Sequence, residues 1–278
     1  MSRKARLVDL LIILFLLITG LYHGPITRKY HLESDKIQNE ITIAVAADLH
    51  SQFIGDNQDK LIKRLQRAEP DIILMPGDMA NSPYSTAAMV SFMQQAVEIA
   101  PCYYVLGNHE YWSGDHEAIV EIVKKTGVTV LRGDMISLDI QGNTIELYGV
   151  EDWDANFWDS NYEDKNWNDR LDELWTDNTA NVYRILMSHR PERVADYQKY
   201  EYDLVVSGHS HGGLVRIPFI LNGLYAPDQE WFPKYAGGEY QISDATTMIV
   251  SRGLYNYPTM PRVYNPSEIV VITISGNN

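Results

Sequence analysis

Residues 41–50 read ITIAVAADLH, an apolar run rich in β-branched residues that ends in Asp48 and His50. An uncharged run of this length and composition predicts a buried β-strand. Side chains two residues apart on a strand point to the same side. This segment therefore predicts a strand that presents a carboxylate and an imidazole together at its carboxyl end.

The pattern continues outward from this strand as an alternation of strands and helices. Two further strand-like runs follow at 71–75 and 102–106, and segments with helical spacing lie before each of them at 56–68 and 85–99. Such alternation predicts an α/β fold with parallel strands, in which ligands bind at the carboxyl ends of the strands. The second half of the chain predicts more strands, at 145–150, 182–187, 203–206, 246–251 and 268–274.

Side chains that bind metals follow these strands. Five of the eight histidines fall at predicted strand ends, together with three oxygen donors. The eight residues are Asp48, His50, Asp78, Asn108, His109, His189, His209 and His211. Imidazole, carboxylate and amide donors suit Mn, Fe or Zn, because Ca²⁺ prefers more oxygen ligands. So many donors without a thiolate indicate two metal ions that share a carboxylate, an arrangement suited to phosphoryl displacement.

The order of these motifs resembles that of the calcineurin-like metallophosphoesterases. The matching segments are Asp48-Leu49-His50, Gly77-Asp78, Gly107-Asn108-His109-Glu110, the lone His189 and Gly208-His209-Ser210-His211. The resemblance extends over about residues 41 to 275. It implies a four-layer α/β/β/α sandwich with a two-metal site on loops at the carboxyl ends of the strands.

The resemblance also implies a role for each site residue. Asp48, His50 and His211 would hold the first ion. Asn108, His189 and His209 would hold the second, and Asp78 would bridge the two. A bridging hydroxide would be the nucleophile. His109 would not be a ligand but the general acid or charge stabiliser beside the leaving oxygen. Mn is the expected metal, with Fe and Zn as alternatives.

A narrower resemblance is to the membrane-associated bacterial branch of this family. Residues 188–192 (SHRPE), 208–218 (GHSHGGLVRIP), 223–227 (GLYAP) and 251–253 (SRG) carry it. Leu214 stands where many members have glutamine, so we assign no specificity to that position. Some relatives are associated with cleavage of the pyrophosphate in a sugar-nucleotide lipid such as UDP-diacylglucosamine. That reaction is therefore an alternative to general phosphoester hydrolysis.

Residues 1–29 predict an N-terminal signal anchor. Three basic residues precede an apolar run at 10–22 that is shorter than the ~20 residues that a spanning helix prefers. Because no small-residue cleavage site follows, an uncleaved anchor fits better than a removed peptide, and a buried helix is the alternative. We expect a connector at 30–40 and the catalytic domain at 41–278, on the outer side of the cytoplasmic membrane.

Composition limits the possible partners. The net charge of −14 argues against nucleic-acid binding, because the chain cannot neutralise phosphates broadly. The single Cys102 excludes an internal disulfide and a thiolate metal site. We expect a monomer that acts on a phosphorylated small molecule or lipid. Arg190, Arg252 and Arg262 are candidate phosphate contacts, with surface ion pairs as the alternative.

Three alternatives remain open at this point. A catalytically silent binding scaffold of the same fold is disfavoured, because all seven candidate ligands and His109 are present. The acidic segment 151–177 contains four tryptophans, which predicts either a solvated helix packed on the sheet or a lid over the site. The aromatic segment 225–240 predicts either a groove at the mouth of the site or a surface loop.

Overall fold

Two six-stranded sheets packed face to face form the centre of the structure. The computed structural model describes residues 9, 11, 14–15, 18–22, 24–159, 167–175 and 181–277. The first sheet has the spatial order β1 (Ile26–Ser34), β14 (Glu268–Gly276), β2 (Ile41–Val45), β3 (Ile72–Pro76), β4 (Cys102–Val105) and β5 (Thr129–Val130). Strands β2 to β5 run parallel, β14 is antiparallel to β2, and β1 is parallel to β14.

The second sheet continues the alternation in the other half of the chain. Its spatial order is β12 (Gly238–Gln241), β13 (Thr247–Val250), β9 (Leu204–Ser207), β8 (Tyr183–Met187), β7 (Asn143–Gly149) and β6 (Asp134–Ile140). The central strands β13, β9, β8 and β7 are parallel, and antiparallel strands flank them on both sides. A two-stranded hairpin, β10 (Tyr225–Ala226) and β11 (Glu230–Trp231), stands apart from both sheets.

Helices cover the outer faces of the two sheets. The helices are α1 (Asp59–Ala68), α2 (Ala87–Ala96), α3 (Asn108–Trp112), α4 (His116–Lys125), α5 (Ala155–Trp158), α6 (Trp167–Leu174) and α7 (Val194–Tyr197). Helices α1, α2 and α4 contribute to the apolar core on the first sheet, whereas α6 and α7 contribute to that on the second. A third core fills the space between the sheets. The predicted four-layer α/β/β/α architecture is confirmed.

Burial on both faces explains the apolar strands. Every residue of β3, β8 and β9 is buried, as expected for parallel strands that are covered on two sides. The predicted helix at 56–68 corresponds to α1, in which Leu61, Ile62 and Leu65 are buried. This arrangement brings the carboxyl ends of β2, β3, β4, β8 and β9 to one edge of the sandwich.

The N-terminal segment differs from the prediction. Residues 26–34 form strand β1, which pairs in parallel with β14 from Ile26 opposite Glu268 to Ser34 opposite Gly276. Part of the predicted anchor (1–29) and connector (30–40) therefore belongs to the first sheet. The reason is the alternation of half-buried and exposed residues along β1, which is typical of an edge strand with one covered face.

Part of the predicted apolar run lies outside the described residues. Within the part of the chain that the structure describes, no helix is both long enough and apolar enough to cross a membrane. The described residues of this run include Leu11, Leu14, Phe15 and Ile18, whose side chains are exposed.

Candidate metal centre

The seven predicted ligands and His109 lie on loops at the carboxyl ends of five strands. Asp48 and His50 follow β2, Asp78 follows β3, Asn108 and His109 begin α3 after β4, His189 follows β8, and His209 and His211 follow β9. The seven predicted ligands are all buried, and His109 is partly exposed. The strand topology thus collects residues that are up to 163 positions apart (211 − 48) into one cluster.

Five of these residues have left-handed backbone conformations. Asp48, His50, Asp78, His209 and His211 have φ between 47° and 67°, a region that residues other than glycine rarely adopt. Such strain persists only where surrounding contacts impose it, and it concentrates at functional sites. Here backbone hydrogen bonds impose it, since the amide of Asp48 donates to Gly77 O (3.1 Å) and that of His50 to Asp78 O (2.9 Å).

Gly77 shows why the Gly-Asp motif needs its glycine. Gly77 has φ 88°, and a Cβ at this position would lie 2.4 Å from His189 Nδ1 and 2.8 Å from the Cα of Gly107. Both distances are too short for a side chain. The glycine therefore allows the loops after β3, β4 and β8 to approach closely enough to form one site.

The first group of candidate ligands consists of Asp48, His50 and His211. Their ligand atoms all lie within 4.8 Å of one another. The Nε2 atoms of His50 and His211 are 3.3 Å apart, and His211 Nε2 is 4.0 Å from Asp48 Oδ1. The backbone amide of His209 donates to Asp48 Oδ1 (2.9 Å), which fixes the carboxylate.

The second group consists of Asp78, His189 and His209. Their ligand atoms also lie within 4.8 Å of one another. His189 Nε2 is 3.2 Å from both Asp78 Oδ2 and His209 Nδ1. Asn108, predicted as a further ligand here, is buried beside His109, whose backbone amide donates to Asp78 Oδ1 (2.9 Å).

Asp78 lies between the two groups. Its Oδ2 atom is 3.5 Å from His50 Nε2 on one side and 3.2 Å from His189 Nε2 on the other. One carboxylate oxygen therefore faces a histidine of each group. This is the position that a bridging ligand requires.

Three of the histidines pair one ring nitrogen with a protein oxygen, which leaves the other nitrogen for a metal. His50 Nδ1 pairs with Asn81 Oδ1 (2.7 Å), and His189 Nδ1 pairs with the carbonyl oxygen of Pro76 (2.7 Å). His209 Nε2 lies 2.9 Å from Asp228 Oδ2. Outer partners of this kind fix the tautomer and direct the other nitrogen toward a metal. Asn81 and Asp228 were not predicted from the sequence.

Glu110 connects the loops behind the cluster. It is fully buried and accepts hydrogen bonds from the amides of Gly107 (2.8 Å), Asp78 (3.0 Å) and Ala80 (2.8 Å). Burial, together with the charge of Asp78, raises the pKa of Glu110 to about 8. Glu110 therefore orients the loops that carry Asp78 and Asn108.

His109 lies at the edge of the cluster. Its ring contacts His50 edge-on, with 4.4 Å between the ring centroids, and Trp112 at 4.9 Å. A ring nitrogen also lies within 4.8 Å of ligand atoms of His50 and Asp78. His109 is less buried than the seven predicted ligands, and its role as an acid stays a prediction.

The electrostatics of the cluster favour metal binding by the histidines of the first group. Burial lowers the pKa of His50 to about 4 and that of His211 well below its usual value, so both rings are neutral at pH 7. Burial acts oppositely on Asp48 and raises its pKa to about 6. Burial alone would lower the pKa of His189, but Asp78 raises it to about 10. His189 and Asp78 therefore form an ion pair when no metal competes.

Two buried oxygens without hydrogen-bond partners show whether the candidate ligands fit metal ions. Asp48 Oδ2 and Asn108 Oδ1 are buried, and neither has a hydrogen-bond partner among the described residues. An unpaired buried oxygen is costly unless another group satisfies it. Divalent cations satisfy both atoms, so the residues present fit the implied metals.

The structure gives all three candidate substrate arginines protein partners. Arg190 is buried and reaches Asp152 (2.9 Å), Asp154 (3.1 Å) and Asp228 (2.7 Å). Through Asp228 it is connected to His209. Arg190 therefore supports the cluster rather than offering a free cation.

The other two arginines are also engaged. Arg262 is buried and donates to the carbonyl oxygens of Tyr255 (2.9 Å) and Arg252 (2.7 Å). Arg252 lies in a different cavity, with its Nε atom 3.6 Å from Glu268. Neither arginine is the surface ion pair that the sequence offered as the alternative, because Arg252 forms a buried ion pair and Arg262 donates to backbone carbonyl oxygens.

The tryptophans of segment 151–177 lie in different environments, and Trp158 is exposed. Trp167 is fully buried and belongs with Trp175 to the core on the second sheet, as the packed-helix alternative predicted. Trp153 packs against the same core and also lines a cavity of about 670 Å³ beside the metal cluster, as does Tyr225 of the aromatic segment 225–240. Residues 160–166 and 176–177 lie outside the described residues.

Comparison with known proteins agrees with this geometry. The family model of the calcineurin-like phosphoesterases matches residues 41–213. An uncharacterized metallophosphoesterase of Aquifex aeolicus is 29% identical over 256 residues, which cover 89% of this chain and 91% of the relative. One of Campylobacter jejuni is 26% identical and is matched over 91% of this chain but only 64% of its own length.

Two solved structures show a weak likeness to this chain. A dimetal phosphatase from Danio rerio is 10% identical, with a TM-score of 0.47 and coverage of 80% of this chain and 90% of that one. A Thermus thermophilus protein is 13% identical, with a TM-score of 0.49 and coverage of 78% and 91%. The assignment rests on the family match, which covers more than half of the sequence. The chain belongs to the calcineurin-like phosphoesterase family and is a metallophosphoesterase.

Proposed function

We propose that this metallophosphoesterase hydrolyses phosphoric mono- or diesters with two divalent metal ions, Mn being the expected metal. The observation that carries the proposal is the position of Asp78, whose Oδ2 faces His50 at 3.5 Å and His189 at 3.2 Å. Both three-residue groups are compact enough to hold an ion each. When bound, two such ions supply hydroxide at neutral pH and offset the charge of a phosphate.

The residues of the chain divide into ligands, their supports and an acid. Asp48, His50 and His211 hold one ion, and His189, His209 and Asn108 hold the other, with Asp78 shared. Asn81, Pro76 and Asp228 orient the histidines. His109 donates a proton or a hydrogen bond to the leaving oxygen, because its ring lies at the open edge of the cluster.

A second candidate reaction is the hydrolysis of a pyrophosphate in a sugar-nucleotide lipid such as UDP-diacylglucosamine. The cavity of about 670 Å³ beside His209 favours it, because Trp112, Trp153 and Tyr225 line it. The guanidinium of Arg193 also stacks on Trp153 at 3.7 Å from the ring centroid. Aromatic and guanidinium faces of this kind bind planar rings, so the cavity suits a substrate with a base or an aryl group.

We also propose that the enzyme works at the outer face of the cytoplasmic membrane. The basic and apolar sequence of residues 1–22 supports this location. A relative from Danio rerio that is 23% identical is named a transmembrane protein with a metallophosphoesterase domain, and this chain matches 53% of its length. Protease accessibility of the folded domain in cells without their wall tests the orientation, and full protection would contradict it.

A substrate panel tests the reaction. The full chain, loaded with Mn, is assayed on nitrophenyl phosphate, bis-nitrophenyl phosphate and a nucleotide-sugar pyrophosphate. We expect hydrolysis of at least one ester and loss of all activity after chelation. Hydrolysis of the pyrophosphate alone would favour the second candidate. An active enzyme with no more than one metal ion per chain would contradict the two-metal proposal.

A further inference from the structure

A positively charged cavity lies apart from the metal cluster, at the edge of the first sheet. Arg28 on β1, Arg216 and Arg252 line a cavity of about 560 Å³, which we call the three-arginine cavity. None of the described residues that line this cavity is acidic. In a chain with a net charge of −14, three guanidinium groups in one cavity form a local positive patch.

The charges in this cavity are incompletely balanced. The buried carboxylate of Glu268 lies beneath it, 3.0 Å from Arg28 Nε and 3.6 Å from Arg252 Nε. Arg216 is bound by the neutral side chain of Asn222 and by the carbonyl oxygen of Gly212 (3.4 Å). Three cations against one carboxylate leave a surplus of about two positive charges (3 − 1).

Arg252 has an unsatisfied buried donor beside this cavity, in addition to its contact with Glu268. The residue is only 9% exposed, yet its Nε atom has no hydrogen-bond partner among the described residues. Buried donors are normally satisfied. Burial and the nearby Arg252 also lower the pKa of Arg216 to about 10, as expected where cations crowd without an anion between them.

The rim of the cavity is apolar and exposed. Residues 217–221 form a turn that is closed by hydrogen bonds between Ile217 and Leu221, and both residues line the cavity. At the tip of the turn Phe219 is fully exposed, and Ile220 is 82% exposed. Exposed apolar side chains beside cationic ones are typical of surfaces that enter the headgroup region of a bilayer.

The N-terminal apolar segment reaches the same face. The amide of Tyr264, which also lines the cavity, donates to the carbonyl oxygen of Gly20 (2.7 Å). Gly20 lies near the end of the apolar run at 10–22. Gly20, near the end of the run, therefore contacts a residue that lines the three-arginine cavity.

We propose that this face docks on an anionic bilayer, with a phospholipid phosphate in the three-arginine cavity and Phe219 and Ile220 in the headgroup region. Charge complementarity and the apolar rim together select a lipid surface over a soluble anion. The proposal is independent of the hydrolytic reaction. It also holds whether or not residues 1–29 form an anchor, because the turn and the arginines belong to the folded domain.

A probe at the tip of the turn tests the proposal. Ile220→Cys in the full chain is labelled with an environment-sensitive fluorophore, and Cys102 does not interfere because it is buried. With vesicles of phosphatidylcholine that contain a third of phosphatidylglycerol, we expect a blue-shifted and stronger emission. Vesicles of phosphatidylcholine alone produce a much smaller change. The same label on Tyr84→Cys, an exposed site away from the cavity, reports no shift.

Substitutions at Arg28 connect the signal to the cavity. Arg28→Gln lowers the ratio of docked to undocked probe about fivefold, since each arginine near an anionic surface contributes about this factor. Arg28→Lys restores most of the signal, and the matched control Arg67→Gln, on the exposed side of α1, changes nothing. Raising the salt concentration weakens the signal of the unsubstituted protein, which tests the cavity even if Arg28→Gln folds poorly.

Several results would overturn the proposal. They are an equal response to both kinds of vesicle, no response to either, and a response that is insensitive to Arg28→Gln and to salt. Soluble glycerol phosphate without vesicles is expected to leave the emission unchanged. If it reproduces the vesicle signal, the cavity binds a soluble phosphate and the lipid assignment is wrong.

Discussion

At the scale of single residues, the site depends on carboxylate oxygens that each contact two partners. Asp78 uses one oxygen toward both histidine groups and the other toward the amide of His109. Asp228 binds His209 and Arg190 with the same Oδ2 atom. A substitution at either position therefore affects two partners at once.

Asp78→Asn is expected to remove both metal ions and activity together. An amide cannot bridge two cations with the charge of a carboxylate, and the substitution affects both groups equally. Elemental analysis and the turnover number measure the two effects. Asn81→Asp, which alters only the partner of His50, is the control and retains the second ion. An Asp78→Asn protein that kept one tightly bound ion would show that Asp78 is not shared.

His109→Ala is expected to keep both metal ions and to lower turnover by about 10²–10⁴-fold, the usual effect of losing a positioned acid. The loss should be smaller on nitrophenyl esters, since a good leaving group needs little protonation. Comparison of nitrophenyl and alkyl esters measures this difference. Equal losses on both would leave only charge stabilisation, and lost metal would mean that His109 is a ligand.

Asp228→Asn is expected to weaken metal binding by about 10–100-fold, the usual effect of removing an outer partner of a ligating histidine. The carboxylate lies 2.9 Å from His209 Nε2, and this hydrogen bond lowers the pKa of Asp228 to about 2. Competition with a chelator measures the affinity. Asp244→Asn, at an exposed position, is the matched control. Unchanged metal affinity would mean that Asp228 only binds Arg190 and does not support His209.

The grouping of the candidate ligands could be predicted because each follows a strand, and strand order brings such positions together. Their partners could not. Asp228 belongs to a loop 17 residues after His211 (228 − 211), and its contact with His209 depends on how the segment 225–240 folds back. The use of Arg190, Arg252 and Arg262 was also not predictable, since a guanidinium serves a phosphate, a carboxylate or a carbonyl oxygen equally well.

At the scale of elements, β1 extends the domain beyond the limit that the sequence suggested. Tyr30 and Leu32 pack against the core between the sheets, and Arg28 pairs with Glu268 of β14. The strand was missed because its alternation is interrupted by charged residues and adjoins an apolar run that dominates the pattern. The carboxyl ends of the central strands, where periodicity is clear, were predicted correctly.

Truncation tests this boundary. A chain that starts at Pro25 keeps β1, and we expect it to fold with an unchanged melting temperature. A chain that starts at Ile41 exposes the edge of β14 and the core beneath it. We expect its melting temperature to fall by about 10 °C. This fall corresponds to a loss of about 3 kcal/mol in the free energy of unfolding, because 1 kcal/mol corresponds to about 2–4 °C at this size. Thermal unfolding measures both. Equal melting temperatures would mean that β1 contributes nothing to stability.

At the scale of the whole molecule, the metal cluster joins loops from both sheets. Asp48, Asp78 and Asn108 come from the first sheet, whereas His189, His209 and His211 come from the second. Ions held by both sets would resist separation of the sheets. The molecule also contains two differently built cavities, one aromatic and one rich in arginine.

Chelation is therefore expected to lower stability as well as activity. A ligand at about 1,000 times its Kd stabilises the folded state by about 4 kcal/mol, which corresponds to a melting temperature about 10 °C higher. Calorimetry with and without a chelator measures the change, and added Mn should reverse it. Lost activity with an unchanged melting temperature would mean that the metal site does not join the two sheets.

The left-handed backbone at Asp48, His50, Asp78, His209 and His211 has a consequence for how substitutions there should be interpreted. Aspartate, asparagine and histidine tolerate this conformation better than alanine does. The residue types that bind metal are thus also among those that fit the backbone. Alanine scanning at these positions would combine a lost ligand with a conformational penalty and exaggerate the ligand's importance. Asparagine in place of aspartate separates the two contributions, because it removes the charge and keeps the backbone preference.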